Sequence, residues 1–173
     1  PWSREPDVMR QSMVFSGLEA IAYNQNRRNS DLKLYEFGKV YSLKEDKYIE
    51  TQRFAIFLSG ANQAEQWNQK PQPVSFYMLK AVVDGLIQRL RITDLTTEDA
   101  TCSKMAYGLQ YMRNGKQLVK FGAVAASALK KVDLDKEVFY ADFNFDMVLN
   151  AVRKNRIVYQ DVSKFPAVRR DLS

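Results

Sequence analysis

The sequence predicts an α+β fold, a largely antiparallel sheet flanked by helices. Two observations predict the sheet. Apolar residues alternate with a period of two in several runs, and Asn114-Gly115 between two such runs is typical of a tight hairpin turn with two positive φ angles. The helical layer is predicted by a change of apolar spacing, after Val74, to steps of three and four. With 46% apolar residues, the 173-residue chain can bury the core of one compact domain.

The first predicted element is a helix that begins at Ser16 and ends near Asn26. Ser16-Gly17-Leu18-Glu19 has the pattern of a capping box, in which the serine oxygen accepts from an amide of the first turn and the glutamate reaches back. Leu18 and Ile21 would form the inner stripe of this helix.

A long antiparallel strand pair is expected next. The run from Leu32 to Leu43 carries apolar residues on both faces of its pleat, which predicts an interior strand covered on both sides. A charged turn at 44–47 leads to a returning strand, from Phe54 to Leu58. The polar stretch 61–73, with two prolines, predicts a loop.

The second half of the chain mixes helices and strands. Helical spacing from Val74 to Leu90 predicts the longest helix. Strands are expected over 105–111, 118–124 and 139–145. One or two helical turns are expected over 126–132 and a short helix over 147–153.

Composition excludes several classes of site. The chain contains no histidine, which removes Ser-His-Asp and Cys-His nucleophilic sites, histidine acid–base catalysis and most zinc sites. Cys102 is the only cysteine, so no disulfide framework forms within the chain, which fits the cytoplasm. No apolar run approaches the ~20 residues needed to span a bilayer, and no membrane partner is expected. The net charge of +6 favours an acidic partner such as RNA, but a solvated basic surface explains it equally well.

Asp142, Asn144 and Asp146 recur at two-residue steps along a predicted strand. Oxygen ligands in such a row could hold Mg²⁺. The same row is also expected on the solvent face of a strand whose other face carries the aromatic residues of 139–145. The solvent face is favoured because one row lacks the further ligands that a metal requires, and no metal site is assigned.

Basic residues near the end of the chain are the candidate contacts to RNA or to another polypeptide. They are Arg153, Lys154, Arg156, Arg169 and Arg170. A solvated surface is favoured for each basic pair taken alone, and a salt bridge to another polypeptide explains them as well as an RNA contact does.

Glycines and exposed aromatic residues are the candidate markers of close packing or of an interface. Gly60 and Gly85 would fit where another backbone approaches, and Gly85 interrupts a helix at a cost of ~1 kcal/mol. Trp67, Tyr77 and Tyr111 are possible interface anchors. Ordinary packing within the domain is the alternative for all five.

Four separated stretches resemble the beta subunit family of bacterial phenylalanyl-tRNA synthetases. They are Val8-Met9-Arg10-Gln11-Ser12-Met13 with the following Gly17-Leu18 and Asn24-Gln25-Asn26-Arg27, Leu34-Tyr35-Glu36-Phe37-Gly38-Lys39-Val40-Tyr41, Val74-Ser75-Phe76-Tyr77-Met78-Leu79-Lys80, and Lys164-Phe165-Pro166-Ala167-Val168-Arg169-Arg170-Asp171-Leu172. The resemblance implies a copy of the class II synthetase core that holds the catalytic alpha subunit in an (αβ)2 enzyme. It implies a core-like domain over 1–155, truncated at its start so that an edge of the sheet is missing. The stretch 156–173 would be a linker and the start of a ferredoxin-like anticodon-binding domain.

The resemblance also implies that this copy has lost its chemistry. In catalytic relatives the strand resembling Gly38-Lys39-Val40-Tyr41 is followed by an arginine that clamps the α-phosphate of ATP, and Ser42 stands here instead. The glycine-rich third motif is missing, since no arginine follows the nearest candidate, 121–126. No catalytic, cofactor-binding or metal-binding residue is therefore expected, and ATP, Mg²⁺ and tRNA(Phe) would be used by the whole enzyme through the alpha subunit. The alternatives are a standalone RNA-binding module and an active ligase, which would need an arginine near position 42.

Overall fold

The computed structural model describes residues 9–44, 46–62, 67, 71–100 and 102–153. The helices and strands of these residues are, in chain order, α1 (Val14–Gln25), β1 (Leu32–Lys44), β2 (Lys47–Ser59), α2 (Phe76–Arg89), β3 (Thr96–Asp99), β4 (Met105–Arg113), β5 (Lys116–Val124), α3 (Ala126–Leu129) with a 3-10 turn (Lys130–Val132), β6 (Val138–Asn144) and α4 (Phe145–Arg153).

The six strands of the described residues form one sheet in the order β1-β2-β6-β5-β4-β3. Every neighbouring pair is antiparallel, so the predicted α+β class with an antiparallel sheet is confirmed. The strand β6 lies between β2 and β5. It therefore joins the β1–β2 hairpin to the β3-β4-β5 group.

The two faces of the sheet carry separate apolar layers, because alternate residues of each strand point to opposite sides. On the α1 side, Leu18 of the helix packs with Phe57 of β2. Gly17 permits this approach, since a Cβ there would lie 2.0 Å from the Phe57 ring. On the α2 side, where α4 also packs, Leu79 joins Phe121 of β5.

The strongest sequence signals are confirmed. Helix α2 begins after Ser75, whose Oγ accepts from the Met78 amide at 3.4 Å. The hairpin turn between β4 and β5 lies at Asn114 and Gly115, with φ of 52° and 70° as the tight turn requires. Gly60 has φ of 82°, and a Cβ there would lie 2.2 Å from a backbone oxygen, so the predicted close approach is also confirmed at that residue.

The predicted capping box is wrong. Helix α1 begins at Val14, and its N-cap residue Met13 makes no side-chain cap. Ser16 lies inside the helix, with Oγ 3.0 Å from the Met13 carbonyl and 3.1 Å from Glu36 Oε2. Burial of Met13 and Val14 on the α1 side extends the helix by two residues beyond the local cap signal.

Two strand predictions also differ from the structure. β1 is an edge strand of the sheet and not an interior strand. β3 was not predicted, and it includes the acidic pair Glu98 and Asp99. Its sequence Thr-Thr-Glu-Asp has no apolar alternation, and pairing with β4 alone makes it a strand.

Two further predictions concern the domain boundary near the end of the chain and membrane-spanning segments. Residues 154–173 lie outside the described part of the chain, so the division at 155/156 stays a prediction. Among the helices of the described residues, none has the length and apolar character to cross a membrane.

Candidate subunit interface

A row of aromatic rings leads from the core to the surface across β6, β2 and β1. Phe143 is buried, and its ring lies 5.5 Å from the ring of half-buried Phe54. Phe54 stacks on Phe37 at 4.5 Å, and Tyr35 lies 6.3 Å from both of these rings. Phe37 is 56% exposed and Tyr35 72%. The apolar layer of the α2 side thus continues onto β1 and ends there uncovered.

The arrangement of helices explains why these rings are exposed. Helix α2 packs on β5 and β6, and α4 packs on β2, β5 and β6. Phe145, the first residue of α4, reaches the Phe37 ring at 5.1 Å, and the outer part of β1 extends past it. We call Tyr35, Phe37, Phe54 and Phe145 the aromatic face.

Polar contacts border the aromatic face towards the hairpin turn. Lys39 Nζ lies 2.7 Å from Glu50 Oε1, and the Tyr41 hydroxyl donates to Glu50 Oε2 at 3.0 Å. The hydrogen bond to Glu50 raises the pKa of Lys39, and the same contact lowers the pKa of Glu50. An apolar centre with a polar rim is the usual anatomy of a protein–protein interface.

The hairpin continues beyond this rim as a two-stranded arm. β6 pairs with β2 only from Arg53 onwards, so the earlier part of β2 pairs with β1 alone. Leu43 and Tyr48 face each other across the arm, and both are exposed; Ile49 is also exposed but lies on the opposite face. Exposed apolar residues therefore occur on the arm beyond the polar rim.

The free edge of β1 is partly occupied by Arg10. The Arg10 carbonyl accepts from the Tyr41 amide at 2.9 Å, and Arg10 Nε donates to the Lys39 carbonyl at 2.9 Å. Its Nη1 pairs with Glu36 at 2.6 Å. A Cβ at Gly38 would lie 1.7 Å from the Arg10 guanidinium, so glycine makes room for it. A partner would therefore meet the face of this hairpin more readily than its edge at these residues.

A cleft of about 1030 Å³ opens beside this edge and is lined by Arg10, Phe15, Lys39 and Lys104, among others. Lys104 Nζ and Lys131 Nζ each lie 5.7 Å from the centre of the Phe15 ring. Basic groups around an aromatic ring are typical of contacts to single-stranded nucleic acid.

The α1 side of the sheet carries a charged cluster that the sequence did not reveal. Asp142 Oδ1 lies 3.7 Å from Arg53 Nη1, and Asp142 Oδ2 lies 3.9 Å from Lys120 Nζ. Burial raises the pKa of Asp142 against the lowering effects of Arg53 and Lys120. The register between β5 and β6 is the signal that could have indicated this cluster, since it places Lys120 directly opposite Asp142.

The structure does not contain the predicted row of oxygen ligands formed by Asp142, Asn144 and Asp146. Asp142 is buried, so the favoured solvent-face interpretation is wrong for it. The strand ends at Asn144, whose Oδ1 accepts from the Met147 amide at 3.2 Å. Asp146 lies in helix α4, and its Oδ2 accepts from the Gln52 amide at 3.0 Å.

The predicted contact residues are only partly described. Arg153 is the last residue of α4 and is exposed. The other four, Lys154, Arg156, Arg169 and Arg170, lie outside the described residues and stay predictions.

The other predicted markers have mixed outcomes. Tyr111 is buried and its hydroxyl donates to Asp84 Oδ1 at 2.6 Å, so it is no surface anchor. Trp67 and Tyr77 are exposed. A Cβ at Gly85 would meet nothing within 4 Å, so no close approach occurs there among the described residues. Ser42 is exposed on β1, opposite Ile49.

Comparison with known proteins identifies similar chains. A family model described as the phenylalanyl tRNA synthetase beta chain CLM domain matches residues 1–145. The chain is 38% identical over 185 residues to the phenylalanine–tRNA ligase beta subunit of Bacteroides thetaiotaomicron, and 36% to that of Bacteroides fragilis. The corresponding subunit of Bacillus subtilis is 29% identical. These matches cover all of this chain but only 22–23% of each relative, so the chain spans under a quarter of their length.

A solved structure shares the fold. The pyrrolysyl-tRNA synthetase of Desulfitobacterium hafniense superposes with a TM-score of 0.60 at 10% identity, covering 81% of this chain and 48% of that one. At this identity the likeness concerns the fold alone. It confirms the expected architecture of a class II synthetase core.

Proposed function

The chain belongs to the phenylalanyl-tRNA synthetase beta chain family, and from this premise we propose that it is a catalytically inert, class II synthetase-like domain that docks the catalytic alpha subunit. The enzyme would be the (αβ)2 phenylalanine–tRNA ligase of the cytoplasm, which charges tRNA(Phe). ATP and Mg²⁺ would be used by the alpha subunit.

The aromatic face is the observation that carries the docking proposal. Tyr35 and Phe37 expose about 250 Å² of side-chain surface together, if each aromatic side chain presents roughly 200 Å². Contiguous exposed aromatic surface rimmed by polar groups is typical of a protein–protein contact. Because a stable interface buries about 800 Å² per partner, these rings would form its centre and the hairpin arm would extend it.

The proposal that this domain is catalytically inert rests on Ser42, which follows the Gly38-Lys39-Val40-Tyr41 motif of β1. Nucleotide activation needs fixed positive charge against the phosphate oxygens. Ser42 carries no charge and is exposed on β1. A serine hydroxyl cannot replace the two parallel donors of a guanidinium group.

Co-expression with a phenylalanyl-tRNA synthetase alpha subunit tests the docking proposal. The two polypeptides should co-purify in a stoichiometric complex that survives high salt, because the proposed contact is apolar at its centre. A Tyr35→Ser/Phe37→Ser double variant should lose the complex and keep its fold, as measured by circular dichroism. Retention of the complex by this variant would disprove docking through the aromatic face.

Calorimetry tests the inert character separately. The protein without its alpha subunit should give no magnesium-dependent heat with ATP. A magnesium-dependent isotherm would mean that the nucleotide site has survived.

A standalone RNA-binding module is the second candidate, favoured by the basic cleft around Phe15 and by the net charge of +6. This function predicts tRNA affinity for the chain alone that falls steeply with salt. Arg153, Lys154, Arg156, Arg169 and Arg170 remain the proposed tRNA or subunit contacts under either function.

A further inference from the structure

The hairpin arm leaves the sheet at one defined level of the strand ladder. Pairing of β6 with β2 ends at the Arg53–Asn144 pair, and the next residue of the chain, Phe145, begins α4. Lys39 of β1 and Gln52 of β2 lie directly opposite each other at the next level, where β2 has lost its neighbour β6. We call these two residues the base of the arm.

Two side chains from outside the hairpin bind the backbone of this base, one on each edge. On the β1 edge, Arg10 Nε donates to the Lys39 carbonyl at 2.9 Å. On the β2 edge, Asp146 Oδ2 accepts from the Gln52 amide at 3.0 Å. The outward backbone groups of a hairpin otherwise meet solvent or a further strand. Asp146 therefore takes the place of the strand partner that β6 no longer provides, and we call Arg10 and Asp146 the clamp.

The two halves of the clamp are attached to opposite layers of the fold. Arg10 Nη1 pairs with Glu36 Oε1 at 2.6 Å, and Glu36 Oε2 accepts from the Ser16 hydroxyl of α1 at 3.1 Å. Asp146 lies in the first turn of α4. Because α1 packs on one face of the sheet and α4 on the other, both layers hold the base of the arm.

The direction of the hairpin at its base determines where the outer part of the arm lies. Leu43 is six residues from Phe37 along β1, and this even spacing places both side chains on the same face of the hairpin. Tyr48 lies opposite Leu43 and shares that face. A strand rises about 3.3 Å per residue, so Leu43 lies ~13 Å beyond the base, and a tilt of roughly 10° there would displace it by ~2 Å. Two-stranded ribbons twist strongly and are marginally stable alone, so the clamp fixes a direction that the arm by itself would not keep.

We propose that Arg10 and Asp146 are positioning residues for docking of the alpha subunit, because they hold the exposed apolar residues of the arm beside the aromatic face. This inference rests on the proposed docking function. An arm that is ordered in the free protein loses little conformational entropy on binding, so the clamp raises the affinity without touching the partner. Phe145 of the aromatic face directly precedes Asp146, so α4 provides both a ring of the interface and one half of the clamp.

An alanine and an asparagine variant of Asp146, made in the intact protein that contains this chain, test the clamp. Asp146→Ala removes the acceptor for the Gln52 amide, whereas Asp146→Asn keeps an acceptor oxygen and loses only the charge. Asp146→Ala should weaken binding of the alpha subunit about tenfold, the value of roughly one hydrogen bond, and Asp146→Asn should stay within about twofold of the unchanged protein. Equal losses in both variants would assign the effect to the charge at the start of α4 and would overturn the proposal.

A comparison in a second background distinguishes positioning from general stability. In a Leu43→Ser/Tyr48→Ser protein the arm has no apolar contact left to position, so adding Asp146→Ala should weaken binding by at most about twofold. Arg10→Met, which removes the guanidinium group and keeps the length of the side chain, should lose about tenfold in the unchanged background and at most about twofold in this one. A further tenfold loss in the serine background would overturn the proposal.

Hydrogen exchange of the free protein tests the clamp without the alpha subunit. The arm amides over 40–43 and 48–51 should exchange about tenfold faster in Asp146→Ala than in Asp146→Asn, whereas amides of the β4–β5 hairpin should exchange equally in both. Equal exchange of the arm amides would overturn the clamp whatever the binding result. The expected exchange in a protein that does not bind the alpha subunit would instead refute the docking function on which the positioning role rests.

Discussion

Replacing Phe37 with alanine should weaken association with the alpha subunit about a hundredfold. Phe37 is 56% exposed on the aromatic face, so docking would bury about 110 Å² of its ring if the side chain presents roughly 200 Å². At ~25 cal/mol per Å², that burial contributes about 2–3 kcal/mol. The loss matches the effect of truncating an aromatic residue at the centre of an interface.

The same change should cost the free protein about 2 kcal/mol, because roughly 90 Å² of the Phe37 side chain is already buried against rings that include Phe54 and Phe145. That loss is well below the total stability of a typical folded domain, about 5–15 kcal/mol. The fold should therefore survive, which a thermal unfolding curve checks. Affinity for the alpha subunit is measured by titration in analytical ultracentrifugation or biolayer interferometry.

Tyr23 provides the control, since it is 57% exposed on α1, which packs on the opposite side of the sheet from the aromatic face. Tyr23→Ala should leave the affinity unchanged. If Phe37→Ala binds like the unchanged protein, or if both variants lose affinity equally, the aromatic face is not the docking surface.

Three further predictions concern stability. Gly17→Ala should destabilise the fold by about 3 kcal/mol because its Cβ would overlap the Phe57 ring. Gly85→Ala should stabilise the fold by about 0.5–1 kcal/mol, because the space around Gly85 is open and alanine favours a helix. Equal shifts of the urea-unfolding midpoint for the two variants would contradict both predictions. Burial alone would raise the pKa of Asp84, but the hydrogen bonds from Lys80 and Tyr111 outweigh burial and lower that pKa. The ionised carboxylate therefore stabilises the fold above the ordinary carboxyl pKa, and this contribution, below about 1 kcal/mol, is lost as the pH falls through the lowered value. Asp84→Asn should flatten the acid side of the stability curve measured by urea unfolding, and an unchanged curve would refute the assignment.

Short sequence motifs correctly predicted the elements that are determined mainly by residues close together in the chain. The Asn114-Gly115 turn needs positive φ angles that few other residues adopt readily, and helix α2 carries an apolar stripe long enough to fix its period. The Ser16 motif failed because packing of Met13 and Val14 extended α1 past it. β3 could not be predicted, since its four polar residues are a strand only by virtue of their neighbour.

The sequence predicted only part of the candidate interface. The apolar residues on both faces of β1 were recognised, but alternation cannot tell whether a covering layer belongs to the same chain. Tyr35 and Phe37 were therefore expected to be covered by this domain, and the structure leaves them exposed. The cluster of Arg53, Lys120 and Asp142 was missed because its members lie far apart in the chain and meet only through strand register.

The central position of β6 sets the order in which the sheet can assemble. The β1–β2 and β4–β5 hairpins join residues close in sequence and can form early, whereas β6 unites them only by pairing with β2, which is distant in sequence. During synthesis the two hairpins emerge from the ribosome before the strand that unites them. A mutation that weakens β6 would therefore divide the sheet into two separate hairpin units, instead of fraying one border.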